Sequence, residues 1–103
     1  MRAFIVPFTF CNLSSVERAL RDIDVDPLEL NTQSHIESKD VIILPGVGTF
    51  GEGMAFLKQS GLISLLEQHY ASGGCFLGIC LGMQLLFESS EESQGVDGLG
   101  FIP

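Results

Sequence analysis

The chain has 103 residues, of which 46% are hydrophobic and 17% are charged, and its net charge at pH 7 is −8. This hydrophobic content excludes a disordered tail, and no apolar run approaches the roughly 20 residues that a membrane-spanning helix needs. The acidic charge argues against binding nucleic-acid phosphates or an anionic membrane surface. The length fits one domain, and we expect neither a cofactor nor a bound metal.

The three cysteines include no CxxC pair, which is typical of reduced thiols in a reducing compartment. The apolar run near the N-terminus is interrupted at Pro7, and no A-x-A cleavage site follows it. We therefore expect no targeting segment, no disulfide and a cytoplasmic location.

Apolar runs and helical spacing predict four elements in the first 44 residues, which are a strand at 3–6, a helix at 13–22, a weaker strand at 27–30 and a strand at 41–44. The helix has two alternative N-caps, either Asn12 or a capping box of Ser14 and Glu17. The strand at 27–30 is expected near a sheet edge, because Pro27 cannot donate a ladder hydrogen bond. The strands at 3–6 and 41–44 are apolar throughout, as is typical of strands buried on both faces of a parallel sheet.

The second part of the chain is divided by glycines. It predicts a glycine-rich loop at 45–53, helices at 54–60 and 62–71, an apolar strand at 75–79, a helix at 81–87 and an acidic loop at 88–100. Gly61 separates the first two of these helices, and Cys75 is expected to be a small core residue of the strand.

The predicted order β-α-β-β-α-β-α indicates an α/β fold with an open, mostly parallel sheet and helices on both faces. The carboxyl ends of parallel strands meet at one edge of such a sheet. The loops at 8–12 and 45–53 and the turn at Cys80 are therefore expected to lie together there.

Cys80 is the strongest candidate for chemistry, since it lies in the sequence Gly78-x-Cys80-x-Gly82 between a predicted strand and a helix, as in a nucleophile elbow. In so tight a turn, side chains at the flanking positions would collide with neighbouring backbone. Cys80 would be exposed at the positive end of a helix dipole, which favours a thiolate, and the Leu81 N–H would point to a developing oxyanion. The alternative is a buried core cysteine beside a chance pair of glycines.

The glycine-rich loop supplies a second candidate feature. Gly46 and Gly48 flank Val47, so the peptide can rotate and the Val47 N–H can join that of Leu81 in an oxyanion hole. A phosphate-binding or purely structural turn is the alternative, although the loop lacks the Lys and Ser/Thr of a P-loop.

Two motifs together, LGICLGMQ at 77–84 and LPGVGTFG at 44–51, resemble those of class I, triad-type glutamine amidotransferases, which have a flavodoxin-like fold. The start Asn12-Leu13-x-Ser15-Val16 and the segment GLGFIP at 98–103 are similar to the glutaminase subunits of imidazole glycerol phosphate synthases, which serve histidine biosynthesis. Because the resemblance spans the whole chain, we expect residues 1–103 to be the N-terminal part of a single amidotransferase domain.

The resemblance implies that Cys80 is the nucleophile that forms a glutamyl thioester, and that Val47 and Leu81 supply the oxyanion N–H groups. Gln84 is similar to the family residue that helps to hold glutamine, with an ordinary helix-surface glutamine as the alternative. Glutamine would be the substrate, and a cyclase or synthase subunit would be the partner that receives ammonia.

The family's catalytic His and Glu belong to a His-x-Glu motif that does not occur within residues 1–103. His35 lies in a polar connection and His69 on an apolar helix face, so we expect both to be solvated or packed. Since no imidazole would then take the thiol proton or protonate the leaving ammonia, we expect this chain alone to have little or no glutaminase turnover.

Three alternatives remain open on the sequence. The chain could be a non-catalytic pseudo-amidotransferase or interaction module, or a different cysteine hydrolase or redox-protective protein of the same fold. It could also belong to the amidotransferase of another biosynthetic enzyme, such as cytidine triphosphate synthase, which shares the ending Gly82-Met83-Gln84.

Overall fold

The computed structural model describes residues 1–103 and contains four strands and four helices. In chain order these are β1 (Arg2–Ile5), α1 (Leu13–Asp22), β2 (Asp26–Glu29), β3 (Val41–Leu44), α2 (Phe50–Ser60), α3 (Ile63–Ala71), β4 (Cys75–Gly78) and α4 (Leu81–Leu85). A 3-10 turn at Glu91–Ser93, called here the acidic turn, follows α4. No helix combines the length and the apolar character needed to cross a lipid bilayer.

The four strands form one parallel sheet in the order β2-β1-β3-β4. Phe4 pairs with Leu28 on one side and with Ile42 on the other, and Ile43 pairs with Leu77. Parallel strands need crossover connections, and here the helices lie on both faces of the sheet, with α1 on one face and the others on the opposite face. The predicted α/β class with an open parallel sheet is therefore confirmed.

Two apolar cores of different size cover the two faces of the sheet. On one face, α1 packs Leu13, Val16 and Leu20 against a small core formed by the strand residues Ala3, Ile5 and Ile43. On the other face, the remaining helices bury a core of 14 residues, which includes Phe4, Val6, Ile42, Leu44, Phe50, Met54, Leu57, Leu66, Leu81 and Leu85. Alternate strand residues point to opposite faces, so the apolar runs of β1 and β3 supply both cores.

The structure decides between the alternative N-caps of α1 and supports the edge position of β2. Asn12 Oδ1 accepts a hydrogen bond of 3.2 Å from the Ser15 N–H, so Asn12 is the cap and the Ser14–Glu17 box is not used. The strand that contains Pro27 lies at one edge of the sheet, as predicted.

The strand predicted at 75–79 is present as β4, but the expectation that Cys75 is a small core residue is wrong. β4 is the other edge of the sheet, and α1 does not reach across to cover it. Leu77 and Ile79 are therefore 49% and 42% exposed, and Cys75 is exposed rather than a core residue. An apolar cavity of about 330 Å³ between β4 and α1 follows from this uncovered face.

Helix α2 begins four residues earlier than the sequence prediction of 54–60. Thr49 and Glu52 form a capping box in which the Thr49 hydroxyl accepts from the Glu52 N–H, while the Glu52 carboxylate accepts from the Thr49 N–H. This cap stabilises a helical turn in spite of the glycines at 51 and 53. The glycine loop between β3 and α2 therefore comprises only residues 45–49.

Helix α4 is shorter than the predicted 81–87, since its last residue is Leu85. The segment 88–100, predicted as a loop, contains the acidic turn and is closed by the pairing of Ser89 with Asp97. This segment is therefore folded back against the body of the protein.

Candidate active site

The corner between β4 and α4 requires glycine on both sides of Cys80. A Cβ at Gly82 would overlap the carbonyl oxygen of Leu44 in the neighbouring strand, and a Cβ at Gly78 would lie 2.5 Å from Met83 Cα. Both obstacles are backbone atoms, which cannot rotate away as a side chain can. The two glycines therefore let α4 leave the sheet directly at Cys80.

The backbone of Cys80 is held in a sparsely populated conformation, with φ 53° and ψ −117°. Only one other non-glycine residue, Asp24, has a positive φ. The Cys80 thiol is free and exposed, and α4 starts at the next residue, so the N-terminal end of the helix dipole faces it. Strained backbone of this kind is concentrated at functional sites, and the geometry is that of a nucleophile elbow.

The Leu81 N–H, which the sequence assigns to an oxyanion hole, is occupied in this structure. It donates a hydrogen bond of 3.0 Å to the carbonyl oxygen of Gly46 in the glycine loop. All peptide bonds are trans, so with this oxygen turned toward the corner the Val47 N–H points in the opposite direction. The loop touches the corner, but in a state that offers no N–H pair to a substrate.

Glycine is required in this loop by its backbone angles. Gly48 has φ 124° and Gly46 has φ 157°, and at Gly48 in particular an L-side chain would be strained. The side chain of Val47 between them is 61% exposed. A side chain at either glycine would restrict rotation of the two peptides that flank Val47, and glycine removes that restriction.

Three loops meet at the carboxyl edge of the sheet, as predicted. They line an open cleft of about 330 Å³, whose lining includes Phe10–Asn12, Pro45–Val47, Ile79 and Cys80. Its walls are mainly apolar, with Asn12, Ser15 and Cys80 among the residues that supply polar groups. A cavity of this size can hold an amino-acid side chain beside the thiol.

Cys11 is the second thiol of this cavity. Its Sγ donates a hydrogen bond of 3.2 Å to the Phe8 carbonyl oxygen, and burial raises the pKa of the Cys11 thiol. Cys11 therefore remains a protonated, packed thiol at neutral pH, whereas Cys80 is exposed.

Gln84 lies in α4, one helical turn after Cys80, and is exposed. Residues four apart on a helix lie on the same side. Its carboxamide makes no hydrogen bond within the protein, so its donors and acceptor remain open to a ligand on the corner's side.

Neither histidine can act on the Cys80 thiol. His69 is 4% exposed, and its Nε2 is 3.1 Å from the carbonyl oxygen of Cys75. That carbonyl is at the start of β4, and a strand rises about 3.3 Å per residue, which separates it from Cys80 by roughly 16 Å. His35 is exposed in the connection before β3, at the same remote end of the sheet. The expectation that both histidines are solvated or packed is confirmed.

Comparison with known families identifies this arrangement. The sequence profile of the CobB/CobQ-like glutamine amidotransferase domain matches residues 5–103, which include the glycine loop and the corner at Cys80. The chain belongs to this family.

Curated relatives of this amidotransferase chain are named imidazole glycerol phosphate synthase subunit HisH. One from Bacillus cytotoxicus is 43% identical over 99 residues, which are 96% of this chain and 47% of the relative. Relatives from Aquifex aeolicus and Thermus thermophilus are 40% and 38% identical over 103 residues, which are 50% and 52% of their lengths. The chain spans about half the length of the curated relatives it matches.

Two residues of this amidotransferase chain that contact the helix after the glycine loop were missed by sequence reasoning. Glu92 and Ser93 accept hydrogen bonds from the Phe50 and Gly51 N–H groups. The contacts join positions 42 residues apart, so no local sequence pattern predicts them. The acidic character of the segment is the one signal that sequence offers for a cap at the positive end of a helix.

Proposed function

We propose that this chain is the N-terminal part of the glutaminase subunit of an imidazole glycerol phosphate synthase, and that it forms residues 1–103 of a single amidotransferase domain. Family membership and relatives named HisH along nearly its whole length support the proposal. The observation that carries it is the backbone of Cys80, which is held at positive φ between two obligatory glycines.

In the proposed reaction, the Cys80 thiolate attacks the side-chain carboxamide carbon of glutamine. The S–C bond forms while the carbonyl electron pair moves to oxygen, and collapse of this adduct breaks the C–N bond. The nitrogen takes a proton and leaves as ammonia, which gives a glutamyl thioester that water hydrolyses to glutamate and the free thiol. Gln84 would help to orient the glutamine.

The oxyanion of this reaction would be stabilised by the Leu81 and Val47 N–H groups. In the present state the Gly46 carbonyl occupies the first, and the second is turned away. Rotation of the Gly46–Val47 peptide would free one donor and aim the other at the oxyanion. We infer that ligation of the synthase partner favours the rotated state, because only a ligand that binds the two states differently can shift them.

Proton transfer would need a group from outside residues 1–103. The thiol proton must be removed and ammonia must be protonated, and both histidines of this chain lie at the remote end of the sheet. We therefore propose that the base is the family's His-x-Glu motif in a following part of the domain. We also propose that residues 1–103 alone release ammonia at less than 1/100 of the rate of the full-length subunit, a rough figure typical of losing a general base.

The partner in this proposal is a cyclase subunit that receives ammonia and builds an intermediate of histidine biosynthesis. The carboxyl edge of the sheet, with the cavity at Phe10–Asn12 and Val47, would face it. We place the complex in the cytoplasm, where three free thiols are stable.

A glutamine analogue that carries a diazoketone in place of the carboxamide tests the proposed function. Full-length subunit in complex with its synthase should be labelled on Cys80, glutamine should compete, and glutamate release should disappear in Cys80→Ser. Cys75→Ser is the matched control, since it removes another exposed thiol away from the cavity. Labelling that ignores glutamine, or activity that survives Cys80→Ser, would contradict the proposal.

A non-catalytic interaction module is the second candidate, favoured by the blocked Leu81 N–H and the remote histidines. It predicts that the full-length subunit forms a complex with the synthase but releases no glutamate under any ligation state. The labelling experiment separates the two, because a module without catalysis has no reason to be protected by glutamine.

A further inference from the structure

The carboxylate of Glu52 contacts the glycine loop that precedes its own helix. Glu52 Oε1 accepts a hydrogen bond of 3.1 Å from the Thr49 N–H and one of 2.9 Å from the Thr49 hydroxyl. A Cβ at Gly48 would lie 3.5 Å from the same oxygen. One carboxylate oxygen therefore holds both donors of Thr49 and lies beside Gly48.

The acceptor in this contact is charged. The hydrogen bonds from the Thr49 hydroxyl and N–H lower the pKa of Glu52 below its ordinary value, so the side chain is ionised at neutral pH. Glu52 also lies in the first turn of α2, where the positive end of the helix dipole favours a negative charge. A hydrogen bond to an ionised acceptor is stronger than one between neutral groups, so Thr49 is held more firmly than by a neutral cap.

This contact fixes the peptide that ends the glycine loop. The Gly48–Thr49 peptide is trans and therefore planar, so the Thr49 N–H that points to Glu52 also sets the orientation of the Gly48 carbonyl. Of the two peptides upstream, Gly46–Val47 is held by one backbone hydrogen bond to the corner, and Val47–Gly48 by none. Rotation is therefore easiest at the two peptides that flank Val47, and it ends at Gly48.

Two apolar side chains lie against both glycines of the loop. A Cβ at Gly46 would lie 3.6 Å from Phe10 Cε2 and 3.8 Å from Leu81 Cδ2. A Cβ at Gly48 would lie 3.7 Å from Phe10 Cδ2 and 3.9 Å from the same Leu81 atom. The Val47 side chain between the two glycines is 61% exposed. The peptides that flank Val47 can therefore rotate between two glycines whose positions are held by packing.

We propose that Glu52 is a positioning residue for the glycine loop, which it serves by holding the Gly48–Thr49 peptide so that rotation is confined to the two peptides that flank Val47. The proposal rests on the proposed glutaminase function and deepens it. With the downstream end of the loop fixed, the rotated Val47 N–H is aimed at the oxyanion. Without Glu52, Gly48 and Thr49 move with the rotating peptides, and the donor is misaligned.

The test uses the full-length subunit in complex with its ligated synthase partner. Glu52→Ala should lower kcat for glutamine hydrolysis about fivefold, which is the factor equivalent to one typical helix-capping interaction. KM for glutamine should stay within about twofold of wild type, because a donor to the oxyanion acts in the transition state. Glu52→Gln should return kcat to within about twofold of wild type, since its amide oxygen still accepts both hydrogen bonds from Thr49.

Ser60→Ala is the matched control, because it removes a side-chain hydrogen bond at the opposite end of the same helix, where Ser60 Oγ donates to the Leu57 carbonyl oxygen at 3.1 Å. It should lower the melting temperature slightly and leave kcat and KM equal to those of wild type. Glu52→Ala kinetics equal to those of Ser60→Ala would overturn the proposal. So would a Glu52→Gln variant as impaired as Glu52→Ala, or a decrease in kcat matched by an equal loss of iodoacetamide reactivity at Cys80, which would indicate general unfolding.

Amide hydrogen exchange separates this proposal from the proposed function. The Leu81 N–H donates to the Gly46 carbonyl oxygen, and a loop released at its downstream end should leave the corner more often. In the subunit without its partner, the Leu81 amide should therefore exchange several-fold faster in Glu52→Ala than in wild type, with no change in Ser60→Ala. A wild-type complex that hydrolyses no glutamine would contradict the glutaminase function alone. Unchanged Leu81 exchange in Glu52→Ala would contradict the positioning role alone.

Discussion

The Leu81 N–H donates to the Gly46 carbonyl oxygen across 3.0 Å, and this bond joins the corner that carries Cys80 to the glycine loop. It uses the N–H that an oxyanion would need, and it turns the Val47 N–H away from the thiol. The same hydrogen bond thus aligns the glycine loop with the corner and leaves neither N–H available to an oxyanion. Exchange of this bond for a bond to substrate is the step that the proposed function requires.

Replacing Val47 tests the rotation directly. Val47→Pro removes the N–H, so the ligand-activated glutaminase rate of the synthase complex should fall about 100-fold, the scale of one oxyanion donor. Val47→Ala keeps the N–H and is the control, with a rate near wild type. Steady-state glutamate release measures both. Equal activation of the two variants by the synthase ligand would refute the role of this peptide.

The Gly82 contact predicts a large loss of stability. In Gly82→Ala the new Cβ would overlap the Leu44 carbonyl oxygen, so α4 must leave the sheet, at a cost of about 3 kcal/mol or more in free energy of unfolding. Gly95→Ala is the control, because nothing lies within 4 Å of its Cβ and only its φ of 80° is strained. It should cost about 1–2 kcal/mol. Urea denaturation compares them, and similar midpoints would contradict the close approach at Gly82.

Asp40 predicts a pH dependence of stability. It is buried and accepts from Arg2 Nη2 at 2.7 Å and from the Glu37 N–H at 2.8 Å. Burial acts to raise the pKa of Asp40, but the hydrogen bonds from Arg2 and Glu37 outweigh it and hold the pKa below its ordinary value. The carboxylate therefore stabilises the fold above about pH 4, the pKa of an unfolded Asp, and this contribution is lost as the pH falls through the lower folded pKa.

Asp40→Asn should accordingly unfold about 1–3 kcal/mol more easily at pH 7. The difference from wild type should shrink as the pH falls below about 4 and through the lower folded pKa, because wild type then loses the carboxylate that the variant lacks at every pH. Glu67→Gln, at an exposed position of α3, is the control and should shift stability by less than about 0.5 kcal/mol. A pH-independent difference between Asp40→Asn and wild type would contradict the ion pair.

The three cysteines should differ in reactivity. Because burial raises the pKa of Cys11, little of it is thiolate at pH 7.5, and iodoacetamide should modify it more slowly than Cys80 or Cys75, which are both exposed. Its rate should rise steadily when the pH is increased to 9. Mass spectrometry of modified peptides gives the three rates. A Cys11 that reacts as fast as Cys75 at pH 7.5 would contradict its packing against Phe8.

Local pattern was enough to predict the strands, the first helix and the corner. The apolar runs at β1 and β3 and the strand–Gly78-x-Cys80-x-Gly82–helix sequence each depend on contacts between neighbours in the chain, whereas the choice of Asn12 as the helix cap needed the structure. Steric exclusion in a tight turn acts over a few residues, so the required glycines can be recognised in the sequence. The meeting of three loops at one edge follows from parallel strand order.

The start of α2 shows a limit of such patterns. Glycines at 51 and 53 favour a loop by propensity, yet the capping box of Thr49 and Glu52 and the close approach of Leu85 to Gly53 make that stretch helical. The glycines serve packing between helices, which propensity does not describe. A Thr-x-x-Glu pattern was present in the sequence and outweighed them.

The amino-acid sequence by itself determined the candidate groups for the proposed chemistry, which are a cysteine in a sharp turn and a peptide flanked by two glycines. Only the tertiary structure decided that the Gly46 oxygen occupies the Leu81 N–H, that β4 is an edge with Cys75 exposed, and that Glu92 reaches the start of α2. Those outcomes depend on which distant segments lie side by side. Local residue spacing does not predict hydrogen bonds between such segments, because these bonds form only when the whole sheet has folded.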